Sequence, residues 1–390
     1  MLNIPRSLKA VANRWNPAPG LVFERPLVLL QSDDWGRVGV RDREGWELLR
    51  ESGIDLGKRP YDFYSLETAE DVAALQETLL GHVDSTGRHP CVVMNFVTAN
   101  VDFARVIKED FLKLHLFSLA DGFPGNWQRP GLLDAYRKGI SDGVFYPALH
   151  GTTHFCRAAV AERIHAKDDA SKLLQMLWRA ETSYIYWRMP WIGYEYWNPK
   201  RREFSATREQ EALVQEGAEL FSKMFNTMPL SACAPGYRAN QETRRAWAKC
   251  GVRVVQNGSG GHAAIHFNDA NLLEVYRNVD FEPATAGEQF SLENCIRQAR
   301  QNLDRGAPAV VSVHSINFHS TLRNFRGATL TLLDRFLTAL KAKYPNLLYV
   351  SDADLYELAI TGHCDGPTGR INVKVTQTKP ETLRSKEGRG

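Results

Sequence analysis

Short, continuous apolar runs recur along this chain, separated by stretches in which apolar residues return every three or four positions. The runs fall at 27–33, 91–98, 144–149, 230–234, 252–256, 272–281, 309–314 and 347–351. Mostly continuous rather than alternating in their apolar residues, they read as parallel strands covered on both faces. The stretches between them carry helix signals. Thr68 and Asp71 form a capping pair ahead of Val72, Leu75 and Leu79, which share one face. Ser291 precedes Ile296, Ala299 and Leu303, and Gly306 with Pro308 closes that helix. Leu330, Leu333, Phe336, Leu337 and Leu340 make a third inward stripe, stopped at Pro345. Strands alternating with helices in this way predict an α/β fold, a (β/α) barrel of irregular seven- or eight-stranded form. A doubly wound open sheet is the alternative, but no Gly-rich nucleotide loop follows the first strand.

The alternation is broken once at length, between the third and fourth strands. Residues 155–229 form an insertion whose second half is an amphipathic helix opened by Thr207 and Gln210. Its middle, from Tyr184 to Trp197, is dense in aromatic rings, including Trp191. Exposed rings of this kind suit the apolar faces of sugars, whereas buried ones pack the insertion onto the barrel. The organisation read from the chain is an N-terminal arm at 1–26, a barrel at 27–364 and a polar, basic tail at 365–390. Leu8, Val11, Ala12 and Trp15 of the arm fall at helical spacing. They leave room for peripheral contact with a membrane surface, although packing on the domain is the simpler expectation.

Composition narrows the function classes. With 43% hydrophobic and 24% charged residues the chain is ordinarily globular, and a net charge of +3 gives no reason to expect nucleic acid. No run is long and apolar enough for a transmembrane span, and no signal-peptide pattern is visible. The six cysteines are scattered without a C-x-x-C and read as small core residues. A reducing, cytoplasmic setting is therefore expected. Nothing in the pattern sets the oligomeric state.

Chemistry-bearing residues gather at strand ends. The first run stops in Asp33-Asp34-Trp35-Gly36, and alternation along a strand sends neighbouring carboxylates in different directions, so each can hold a different job. The third run ends in His150, followed by Gly-Thr-Thr and His154; the seventh ends in His314. On one helical turn the His150–His154 spacing brings both imidazoles to the same side, as a divalent metal requires. A catalytic zinc has three protein ligands and one open position. One carboxylate of Asp33-Asp34 with the two histidines makes that set, leaving the other as base. His262 and His266 have the same spacing, but in a Gly-rich loop, and are the weaker pair.

Ser-Asp-Asp-Trp-Gly, His-Gly-Thr-Thr-His, Ala-Pro-Gly-Tyr-Arg and Val-Ser-Val-His, in this order, resemble the signature blocks of polysaccharide deacetylases of the NodB-homology type. The spacing resembles a divergent polysaccharide (de)acetylase-like branch, over about residues 27–356. The resemblance implies that Asp33 is the general base, that Asp34, His150 and His154 hold one divalent metal, most simply Zn, and that His314 is the general acid. It further implies that Pro235-Gly236-Tyr237 line a groove, with a backbone N–H near Tyr237 at the oxyanion. The chain departs from the family pattern in two blocks. Trp35 intervenes before the glycine of the first. In the third, Cys233 stands where an arginine usually orients the catalytic aspartate, so Arg238 and Arg277 become the candidates for that task. Trp35, Tyr237 and Trp191 are expected to support substrate.

The implied activity is metal-dependent hydrolysis of an acetyl group, N-linked in preference to O-linked, on a polysaccharide, oligosaccharide or glycolipid-linked sugar. Two alternatives stand beside it. One is another C–N hydrolase acting on a small amide or cyclic imide, which a narrow closed pocket would favour. The other is a catalytically inactive barrel that binds glycans through its aromatic rings.

Overall fold

The computed structural model describes residues 20–259 and 264–377. The apolar runs become β1 (Leu27–Trp35), β2 (Val92–Phe96), β3 (Phe145–Leu149), β4 (Ser231–Cys233), β5 (Val254–Asn257), β6 (Leu273–Tyr276), β7 (Val279–Asp280), β8 (Ala309–His314) and β9 (Leu348–Tyr349). Parallel pairing runs β6-β5-β4-β3-β2-β1-β8-β7. Because β6 and β7 are halves of one stretch, 273–280, the ladder returns on itself and seven positions form an irregular ring. Asn278 makes the splice. Its N–H donates to the Val310 carbonyl and its Oδ1 accepts the Val310 N–H, each at 2.9 Å, just where the stretch leaves β5 for β8.

Pleating sorts the side chains of β1, all of which are buried. Leu27 and Leu29 pack inside the ring with Val93, Val254, Val275 and Val310, whereas Val28 and Leu30 face the helical layer. The same parity turns Gln31 and Asp33 into the barrel. At Asp34 the backbone takes φ +74° and the register against β2 slips between Ser32 and Trp35, so Trp35 falls on the outer side of the sheet.

The helical layer follows the expected signals. Helix α1 (Ala69–Leu80) opens with the Thr68–Asp71 capping box. Helix α2 (Leu292–Leu303) is capped by Ser291, and α3 (Arg326–Lys343) buries Leu333, Phe336, Leu337 and Leu340. Helix α4 (Asp352–Thr361) closes the far end of the ring with Leu355 and Leu358. Within 155–229 the chain forms helices Arg157–Ile164, Asp169–Arg179 and Thr207–Phe225.

At the C-terminal side the sequence boundaries differ from the structure. His363–Gly366 and Gly369–Asn372 form a hairpin, and Val375–Gln377 pairs with Leu21–Phe23, ahead of the expected start of the barrel. These strands are only three or four residues long, too short to stand out in a reading that sought longer apolar runs. The arm motif at Leu8–Trp15 and the basic residues from Lys379 onward lie outside the described residues. All six cysteines are free. Among the described residues no helix is long and apolar enough to cross a membrane.

Candidate active site

Asp33 sits at the C-terminal end of β1, inside the ring, and is 2% exposed. Arg277, fully buried at the β6–β7 splice, grips it with both Nη atoms, Nη1 to Oδ2 at 2.8 Å and Nη2 to Oδ1 at 2.5 Å. Asn95 on β2 donates to Oδ1 at 2.8 Å and the Tyr237 hydroxyl to Oδ2 at 3.2 Å. Burial by itself would raise this carboxyl, but the guanidinium outweighs it and holds Asp33 well below the usual carboxylate range. Gln31, Gln256 and Ser312 accept from Arg277 in turn, and both glutamines donate to Asp352 at the start of α4. Of the two candidate arginines, Arg277 therefore takes the place next to the aspartate. Arg238 is exposed, with its guanidinium 5.5 Å from the Trp197 ring.

Asp34 faces a different set of groups. Its Oδ2 accepts from Arg37 Nη2 at 3.2 Å, while its buried Oδ1 receives no hydrogen bond. That oxygen lies 3.1 Å from His154 Nε2 and 3.7 Å from His150 Nε2. His150 Nδ1 is 2.9 Å from the Cys233 carbonyl, which only accepts, so this nitrogen carries the proton and Nε2 presents a lone pair. His154 Nδ1 meets the Tyr184 hydroxyl at 2.5 Å. Burial pushes His154 down to about 4, against the pull of Asp34, so its imidazole is neutral. The three ligand atoms lie within 4.8 Å of one another. Tetrahedral zinc with bonds of ~2.1 Å places its ligand atoms roughly 3.4 Å apart. A buried carboxylate oxygen without a donor, faced by two imidazole nitrogens at such distances, fits a divalent cation. A second grouping, Asp33, His150 and Cys233, fits less well, because Arg277 and Asn95 already engage Asp33 and burial keeps the Cys233 thiol protonated.

The two histidines do not share a helical turn. Gly151 and His154 have φ of +76° and +70°, and the segment is a loop. Glu195, from the insertion, shapes it: Oε2 accepts the successive N–H groups of Thr152, Thr153 and His154 at 2.9, 2.8 and 3.0 Å. A Cβ at position 151 would meet that oxygen at 2.5 Å, so the glycine is required there. On the Asp34 side Glu67 plays the same part, accepting the Gly36 N–H at 2.9 Å while facing His319 Nε2 at 3.2 Å. His319 is thus a buried brace.

His314, at the end of β8, approaches Asp33 Oδ2 at 3.8 Å through Nε2 and holds Glu282 Oε1 at 2.6 Å through Nδ1. Burial opposes its positive charge, but Glu282 outweighs burial and pushes the imidazole up to about 9. All five strand-end residues line one cavity of about 460 Å³. Its walls include Arg37, Arg59, Tyr61 and Tyr64, which the sequence pattern did not single out, together with Tyr186 and Trp187 of the aromatic insertion.

Two aromatic residues lie away from where they were expected. Trp35 is fully buried, stacked on Phe318, with its indole N–H on Ser32 Oγ, because the irregularity at Asp34 turns it outward under the helices. Trp191 lies outside the cavity lining, where Arg163 covers its ring at 5.1 Å. The N–H of Tyr237 itself closes a turn onto the Ala234 carbonyl at 2.8 Å, and the tyrosine reaches the site through its hydroxyl. Of the weaker histidine pair, His262 lies outside the described residues. His266 stacks on Tyr276 and bonds the Ala264 carbonyl.

No family model matches the chain, and no curated protein matches it. Solved structures do. A Mycobacterium smegmatis protein, provisionally described as a polysaccharide deacetylase, is similar at 12% identity over 87% of this chain and 93% of its own, with a TM-score of 0.45. A family 4 carbohydrate esterase from Streptomyces lividans, solved with acetate, is similar at 12% identity over 83% and 90%, with a TM-score of 0.35. A pseudoenzyme of that carbohydrate esterase family from Bacillus anthracis is similar at 11% identity over 85% and 66%, with a TM-score of 0.38.

Proposed function

We propose that this chain is a metal-dependent deacetylase that hydrolyses an N-acetyl group of an acetylated carbohydrate. The reading is carried by one arrangement: Asp34, His150 and His154 placed as a metal could take them, beside the clamped Asp33 carboxylate and the His314 imidazole held on Glu282, in the same cavity. Zinc matches the donor set best, and such a cation supplies carbonyl polarisation and a water pKa lowered toward ~7. The chain's own residues divide the rest. Asp33, kept ionised by Arg277 and aimed by Asn95, accepts a proton from the attacking water. His314, kept protonated by Glu282, delivers a proton to the departing nitrogen. Arg37 offsets the charge of Asp34, and the Tyr237 hydroxyl keeps Asp33 from turning away.

A glycan-binding barrel has no need of a base and an acid each held in its working protonation state. Hydrolysis of another small amide or imide is the second reading, favoured by the walled cavity in place of a long open groove. The test is metal content by elemental analysis on protein purified without chelator, alongside acetate release from N-acetylated sugars. About one metal per chain, with release abolished by chelator and restored by Zn²⁺, is expected. A metal-replete protein that cleaves small cyclic imides but no acetylated sugar would move the assignment to the second reading.

A further inference from the structure

The cavity has a surplus of fixed positive charge that the proposed chemistry does not use. Its lining carboxylates are Asp33 and Asp34, and each already has a buried arginine, Arg277 and Arg37. Arg59 on the rim is a third. It is exposed, and among the described residues its guanidinium has no ion-pair partner; instead it lies 4.7 Å over the Trp187 ring. The platform beneath it is firmly built. Asp62, fully buried, takes the successive N–H groups of Gly57, Lys58 and Arg59 on Oδ2 and the Trp187 indole N–H on Oδ1 at 2.9 Å. One carboxylate thereby fixes both the backbone that bears Arg59 and the ring on which it rests. Lower in the wall, Arg37 is 6% exposed; its Nη2 donates to Asp34, while its buried Nε has no hydrogen-bond partner among the described residues. Its guanidinium is 3.9 Å from the Tyr64 ring and 5.1 Å from that of Tyr184.

Guanidinium groups lying over aromatic rings and keeping N–H donors to spare are suited to phosphate and carboxylate oxygens. A neutral acetylated sugar offers them hydroxyl and carbonyl acceptors but no charge to meet their own. We propose that the substrate carries an anionic group, a phosphate or a carboxylate, which Arg59 receives at the mouth of the cavity with Arg37 below it. The inference rests on this cavity being the substrate site of the proposed reaction, and it narrows that substrate to an acidic acylated sugar.

The experiment compares three ligands on the Zn²⁺-loaded protein: N-acetylglucosamine, N-acetylglucosamine 1-phosphate and N-acetylmuramic acid. Binding is read by calorimetry and turnover by acetate release, in wild type, Arg59→Gln and Arg59→Lys. At least one charged ligand should bind about tenfold or more tighter than the neutral sugar, with the advantage shrinking as salt rises. Phosphate preference over carboxylate, or the reverse, identifies the source of the charge. Arg59→Gln should erase the advantage and Arg59→Lys should keep part of it. Anions also have affinity for the metal, so the variants carry the decision. Equal binding of the three ligands, or a charge preference that survives in Arg59→Gln, would overturn the proposal. Charge-selective binding that depends on Arg59 but yields no acetate would leave the anion site standing and sink the deacetylase reading.

Discussion

Asp33 and Asp34 are neighbours in sequence and opposites in environment. Asp33 accepts hydrogen bonds on both oxygens, from an arginine, an asparagine and a tyrosine, and needs nothing more. Asp34 has one oxygen on Arg37 and one buried without a donor, aimed at two imidazoles. A carboxylate that is fully satisfied is positioned for proton traffic, whereas one left with a bare buried oxygen waits for a cation. The backbone enforces the division. Asp34 adopts φ +74°, as His154 and Tyr237 adopt +70° and +56°, and such non-glycine strain costs on the order of 1–3 kcal/mol each. Of the ten described non-glycine residues with positive φ, these three line the cavity.

The comparison breaks most visibly if Asp34 is removed. Asp34→Ala, with His154→Ala beside it, should take bound metal from about one per chain to near none, measured by elemental analysis. Acetate release should fall to background, while circular dichroism still reports a folded barrel. If Asp34→Ala keeps its metal, the two aspartates have been assigned the wrong way round. Asp33→Asn sharpens the same contrast from the other side. Loss of a positioned base costs about 10²- to 10⁴-fold in kcat, and the metal content should stay at the wild-type level.

How far the sequence reaches depends on whether a residue's partner is near it in the pattern. The strands were legible because residues buried on both faces must be apolar, and their ends carried the only chemistry in those runs. Arg277 was legible only as one of two candidates, since choosing it requires knowing that 273–280 closes the ring over Asp33. Glu195 and Glu67 gave no signal, because a carboxylate that accepts backbone N–H groups across 42 or 31 positions leaves no spacing to read. The helical turn inferred for His150–His154 failed for the same reason: Glu195 imposes the loop from outside the segment. Trp35 misled because one irregular residue, Asp34, reverses the face of everything after it.

Glu195 offers a smaller but pointed test, because it touches the metal ligands only through backbone. Removing it frees three buried N–H groups and loosens the segment that carries His154. Glu195→Ala should weaken Zn²⁺ affinity about 10- to 100-fold, the usual size of such supporting contacts, with activity recovered at high metal concentration. Glu195→Gln, which keeps an accepting oxygen, should lie between. A loss of activity that added metal does not rescue would assign Glu195 another task.

The finest distinction concerns when each acid or base holds its proton. His314 works as an acid only while protonated, and Glu282 pushes it up to about 9, above its ordinary value near 6.5. Activity should therefore persist through neutral pH and fall as pH rises through that region. Glu282→Gln removes the charge that raises the imidazole, and burial then draws its pKa downward. The alkaline limb should move toward acid, so that the variant loses about tenfold at pH 8 yet much less at pH 6. Asp33 is held down by Arg277 and should leave the acid limb unmoved in the same variant. An unchanged alkaline limb in Glu282→Gln would mean that the falling arm belongs to some group other than His314, and the acid of the reaction would have to be sought among the cavity's tyrosines.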